Sequence, residues 1–83
     1  MEERRIIVDA LMDCKNDMEY METRLEEVGN SNRTIRNNLK EGISRTFIRI
    51  ETIIELAHML GIISEDEARM NYVTLIDTIT NDY

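Results

Sequence analysis

Eighty-three residues with 42% hydrophobic and 33% charged side chains describe one small folded domain, near the lower limit of length at which a chain buries enough surface to fold alone. The formal net charge of −7 opposes non-specific attraction to nucleic acid, and the single cysteine, Cys14, excludes an internal disulfide. No apolar run approaches the ~20 residues of a membrane span, the acidic start lacks a signal-peptide pattern, and a cytoplasmic protein is the expectation.

The spacing predicts a first helix over residues 3–28. Ile7, Leu11, Cys14, Met18, Met21, Leu25 and Val28 alternate steps of four and three, the seam of a helix packed along a near-parallel neighbour. Gly29 suits a left-handed helix stop, and Ser31 or Asn32 can cap the next helix. So short a link folds two long helices back on each other as an antiparallel hairpin.

A second helix is predicted over residues 33–60, with Ile35, Leu39, Ile43, Phe47, Ile50, Ile54 and Ala57 as its apolar stripe. Gly42 falls at the border of that stripe, where a close approach of the first helix explains it better than a break. Gly61 ends the helix. Ser64 and Glu67 form a capping-box pattern, and a third helix is predicted over residues 65–80 with Ala68, Tyr72, Leu75, Ile76 and Ile79 on one face. Absence of proline leaves few other breaks. The fold class is therefore all-α: a long antiparallel hairpin plus a shorter third helix in a single domain. At this size self-association, most simply as a homodimer, is expected.

Charge is segregated along the chain. Residues 1–28 carry nine acids against four bases, residues 33–49 five bases against one acid, and residues 50–83 seven acids against one base. At ~100° per residue, Arg36 and Lys40 fall on one flank of the second helix and Arg45 and Arg49 on the other. In the hairpin, residues whose numbers sum to about 61 lie opposite one another. This places Glu26 near Arg36, Glu22 near Lys40, Asp17 near Arg45 and Asp13 near Arg49, so the basic edge is expected to be structural, neutralised by the first helix. A nucleic-acid binder using that edge is the weaker alternative, since only Phe47 lies among the bases and it belongs to the apolar stripe.

The third helix is expected in the groove beside Ile6, Ile53, Leu56, Met59 and Leu60. Val8, Met12, Ile48, Met70 and Val73 then remain on outer faces, as the candidate partner surface.

Leu56-Ala57-His58-Met59-Leu60-Gly61-Ile62 resembles the first helix and turn of the repressor-type helix-turn-helix family. The likeness stops after seven residues. A recognition helix presents hydrogen-bond donors to DNA, whereas Ser64-Glu65-Asp66-Glu67 opens the next helix with acids, so DNA reading by this route is rejected. One histidine and one cysteine cannot build a Cys/His metal cluster, and no phosphate loop or paired Glu-x-x-His pattern is present. Neither an enzyme nor a cofactor is expected. What remains is a small acidic protein–protein interaction module, acting as regulator, adaptor or inhibitor on a protein partner. Its rival is an acidic decoy of phage or plasmid type, a nucleic-acid mimic that presents Glu65, Asp66 and Glu67 to a basic site on a host protein.

Overall fold

The computed structural model describes residues 2–82. Four helices follow in order: α1 (Glu2–Val28), α2 (Arg33–Met59), α3 (Glu65–Ala68) and α4 (Tyr72–Thr80). The two long helices pack along each other, and α4 packs on α1. The hairpin ends as the residues suggest. Gly29 takes φ +54° and its N–H donates to Leu25 O at 3.0 Å, while the Asn32 side chain accepts from Ile35 N at 3.1 Å. Asn32, not Ser31, is thus the cap. The Ser31 hydroxyl instead donates to Val28 O, a carbonyl at the end of α1 that also accepts from Ser31 N at 3.1 Å.

Helix α2 runs unbroken through Gly42. A Cβ there would lie 2.6 Å from Met21 Sδ, so the glycine is where the two long helices crowd. Met21 and Gly42 also fix the hairpin register close to the expected sum. Substitution of Gly42 by alanine should gain ~1 kcal/mol of helix propensity and lose part of it in displacing the flexible Met21 thioether. Leucine gains nearly as much propensity, but its bulk exceeds what the Met21 thioether can yield, and it should cost a net ~1–3 kcal/mol by overpacking. Urea unfolding of the two variants separates these outcomes.

At the other end Gly61 adopts φ +74°, and the N–H groups of Ile62 and Ile63 both turn back to Ala57 O. This hook places Ile63 in the core. The Ser64–Glu67 capping box forms in full. The predicted helix over 65–80 is divided, however. It stops at Ala68, and the Asn71 carboxamide restarts the chain as α4 by accepting from Val73 N at 2.9 Å. Asparagine can satisfy a helix N-terminus with its own side chain, and here that local bond competes with continuing the helix. The break leaves Met70 and Tyr72 beside α2, while Leu75, Ile76 and Ile79 enter the core.

The core is concentrated at this end. Val8, Leu11, Cys14 and Met18 from α1, Ile50 and Ala57 from α2, Ile63, and the three α4 residues form the buried cluster. Towards the hairpin tip only two helices are present, and Met21, Leu25, Leu39 and Ile43 are half-buried.

The third element lies on the opposite flank of the hairpin from the one expected. Of the groove residues expected, Ile53 is half-buried against the core but Ile6, Leu56, Met59 and Leu60 remain exposed, whereas Val8, assigned to an outer face, is buried beside Thr80 at the end of α4. Arg4 shows what holds the chain there. Its guanidinium donates to Ile62 O at 3.0 Å and to both Glu67 oxygens at 3.0 and 2.7 Å, and reaches Asp82 at 3.2 Å. One side chain ties the start of α1 to the hook, to α3 and to the end of α4.

Candidate functional site

With α4 committed to α1, the α3–α4 connection stands off the second half of α2 and leaves an open groove of about 460 Å³. Phe47, Ile50 and Ile54 form its α2 wall, spaced so that one helix edge faces the opening. Ala68, Met70 and Tyr72 form the opposite wall. The Asn71 cap is therefore what shapes the groove, because it sets Met70 and Tyr72 across from α2. The Thr78 hydroxyl, which donates to Thr74 O at 2.8 Å, also lies 3.7 Å from Met70 Sδ on that wall. Phe47 is half exposed, at 46%. Such a ring offers apolar area with little conformational entropy to lose on contact.

Glu51, Glu55 and His58 follow one another along the α2 side of this groove. None of the three takes part in an ion pair among the described residues. The negative field extends to the other wall. Burial, and after it the charges of Glu22 and Glu19, hold the Tyr72 phenol above its ordinary pKa. The arrangement is an apolar trough in an acidic frame, suited to a ligand that is apolar on one side and cationic at its edges. No protein-family model, curated protein or solved structure matches the chain.

The sequence-predicted partner surface is not assembled as one face. Val8 is buried in the core, covered by α4 because the third element chose that flank. Met70 and Val73 are half-buried, and Met70 belongs to the groove wall. Met12 and Ile48 are exposed. Of the predicted acidic patch, Glu65 pairs with Arg69 at 2.9 Å and Glu67 with Arg4 at 2.7 Å, which leaves Asp66 outside any ion pair among the described residues.

The expected neutralisation of the basic edge is not formed. No ion pair within 4.0 Å joins Glu26 to Arg36, Glu22 to Lys40, Asp17 to Arg45 or Asp13 to Arg49 among the described residues. Arg36 donates to Gly29 O at 2.9 Å and Arg45 pairs with Glu41 on its own helix. A partner one turn away on the same helix costs less side-chain ordering than one across a helix interface. Arg33, Arg36 and Lys40 instead line a basic notch at the hairpin tip with Asn30 and Asn37.

Phe47, Glu51, Glu55 and Tyr72 escaped the sequence reading as a site. Their signal was present in the spacing of Phe47, Glu51, Glu55 and His58 on one α2 edge, but the wall that faces them depends on the break at Asn71. Among the described residues no group of three or more His, Cys, Asp or Glu side chains is placed to hold a metal ion. No described helix is long and apolar enough to cross a membrane.

Proposed function

We propose that the chain is a protein-interaction module whose groove between α2 and the α3–α4 connection receives a basic, amphipathic segment of another protein. The observation that carries this reading is the pairing of an apolar floor with carboxylates that have no cation of their own. Glu51 and Glu55 border Phe47, Ile54 and Tyr72 and lie outside every ion pair among the described residues. An amphipathic helix would seat its apolar side chains against the ring and set Lys or Arg against the two carboxylates. Acting so, the module masks or recruits the segment it binds, which is the work of a regulator, adaptor or inhibitor.

A model helical peptide of leucine and lysine, titrated calorimetrically into the protein, tests this. Phe47→Asp should weaken binding by ~2 kcal/mol, the scale of an interface anchor. Glu51→Gln with Glu55→Gln should weaken it less and flatten its salt dependence. Equal binding to wild type and to Phe47→Asp would sink the groove as the site. The decoy reading draws less support, because Glu65 and Glu67 are already engaged by Arg69 and Arg4. A second reading, an anion site at the tip, is favoured by the lack of any ion pair at Arg33, Arg36 and Lys40 among the described residues. A short single-stranded oligonucleotide run in the same titration distinguishes it, since only the notch should bind that probe.

A further inference from the structure

The flank of the hairpin that α4 leaves bare has an internal order. On α1, Ile6, Asp13, Asp17 and Tyr20 lie within ~60° of one another on the helix surface, at steps of seven, four and three. On α2, Leu56, Arg49, Arg45 and Gly42 repeat the same steps in the opposite direction. Each α1 residue therefore stands at the height of its α2 counterpart: Ile6 beside Leu56, Asp13 beside Arg49, Asp17 beside Arg45, Tyr20 beside Gly42. Asp17, Tyr20, Gly42, Arg45 and Arg49 open onto one cleft of about 410 Å³, which confirms that the two stripes share a side. The apolar end is fully presented, with Ile6 64% exposed, Leu56 51%, Met59 72% and Leu60 74%.

We propose that this flank is the contact face of a symmetric dimer, and that its occupant is a second copy of the chain. A two-fold axis lying in the interface and parallel to the hairpin sets α1 of one copy on α2 of the other, with the heights preserved. Every stripe then meets its complement. Asp13 faces Arg49 of the copy and Asp17 faces Arg45, while Tyr20 lies over the copy's Gly42. Ile6, Leu56 and Leu60 close the apolar end. Asp13, Asp17 and Arg49 take part in no ion pair among the described residues, and Arg45 has only its exposed pair with Glu41 one turn away, which an interface contact can replace. A different protein would need the same alternation of sign and apolar contact at the same spacing. The chain itself carries it. The long faces of the molecule, 45 Å by 18 to 22 Å, also have the extent that a stable interface of ~800 Å² per partner requires. The result is a four-helix arrangement that leaves the Phe47–Tyr72 groove open on the outer side, so the proposal does not depend on what that groove binds.

Sedimentation equilibrium of the full chain tests it. Wild type should show twice the chain mass through the micromolar range, and Leu60→Glu should show one chain mass with an unchanged helical circular dichroism spectrum. The symmetry predicts a sharper result. Asp13→Arg with Asp17→Arg makes the face wholly basic, and Arg45→Asp with Arg49→Asp makes it wholly acidic. Each variant alone should be monomeric, and an equimolar mixture should form a heterodimer of twice the chain mass. Phe47→Asp should leave the dimer intact. A wild-type monomer through the micromolar range overturns the proposal, as does a dimer that survives both charge reversals separately.

Discussion

Leu11→Ala should be among the most damaging single truncations in this chain, with a loss of ~2–5 kcal/mol read from the urea midpoint. Leu11 is 0% exposed and lies on the α1 surface between Val8, which faces α4, and Cys14 and Met18 on the seam with α2. The site where three helices meet cannot collapse by moving one of them, so the cavity term is retained in full. A chain this short is stabilised by only ~4–12 kcal/mol in total, and the truncation therefore threatens folding itself. Leu25→Ala is the control. Leu25 is half-buried where the hairpin is two helices deep, and the same chemical change there should cost less than half as much. Equal losses at the two positions would mean that the tip is packed as tightly as the open end, against the distribution of buried residues.

The hairpin was legible because its signals are local and repeat. Seven seam residues at heptad spacing, Gly29 with Ser31 or Asn32 after it, and Gly42 at the border of the apolar stripe each point to two long helices packed on each other, and the structure bears that out. The cross-helix ion pairs expected from the sequence do not form among the described residues, although Asp17, Arg45 and Arg49 do share one cleft. Sharing a flank brings such groups near each other, but ~0–1 kcal/mol does not fix two long solvated side chains in one geometry. The placement of the third element was undetermined for a different reason. Both flanks of the hairpin carry apolar residues, Ile6, Leu56 and Leu60 on one, Val8, Ile54 and Phe47 on the other. Hydrophobic pattern alone does not choose between them. The choice is made by the hook at Gly61 and by Arg4, contacts between residues some sixty positions apart that no periodicity reveals. The candidate groove inherits this uncertainty, since its far wall exists only once the chain has turned to that side and broken at Asn71.

Removing Arg4 should accordingly loosen the whole second half of the fold. Arg4→Met keeps the aliphatic length and deletes the guanidinium, so the Ile62 carbonyl loses its side-chain donor and the Glu67 carboxylate keeps only the Ser64 N–H of the capping box. The strength of the tie is visible in Glu67, whose pKa falls from 4.5 to about 2. The hydrogen bond from Arg4 is the largest cause, burial opposes it, and the Ser64 backbone N–H adds to it. At ~1.4 kcal/mol per unit, that depression is equivalent to as much as ~3 kcal/mol of stability. Both side chains are less than a quarter exposed, so solvent screening removes only part of it. The contribution is complete above pH 4.5, where Glu67 would be ionised in the unfolded chain too, and it vanishes as pH falls to about 2. Wild type and Arg4→Met should therefore differ most at neutral pH and converge in acid, as measured by urea unfolding along a pH series. Glu67→Gln isolates the charge, because glutamine can still complete the capping box with Ser64. Its loss should match that of Arg4→Met apart from the bonds to Ile62 and Asp82, and the double variant should lose much less than the sum of the two. Additive losses would show that Arg4 and Glu67 act separately, and that something other than this pair holds α3 and α4 on their side of the hairpin.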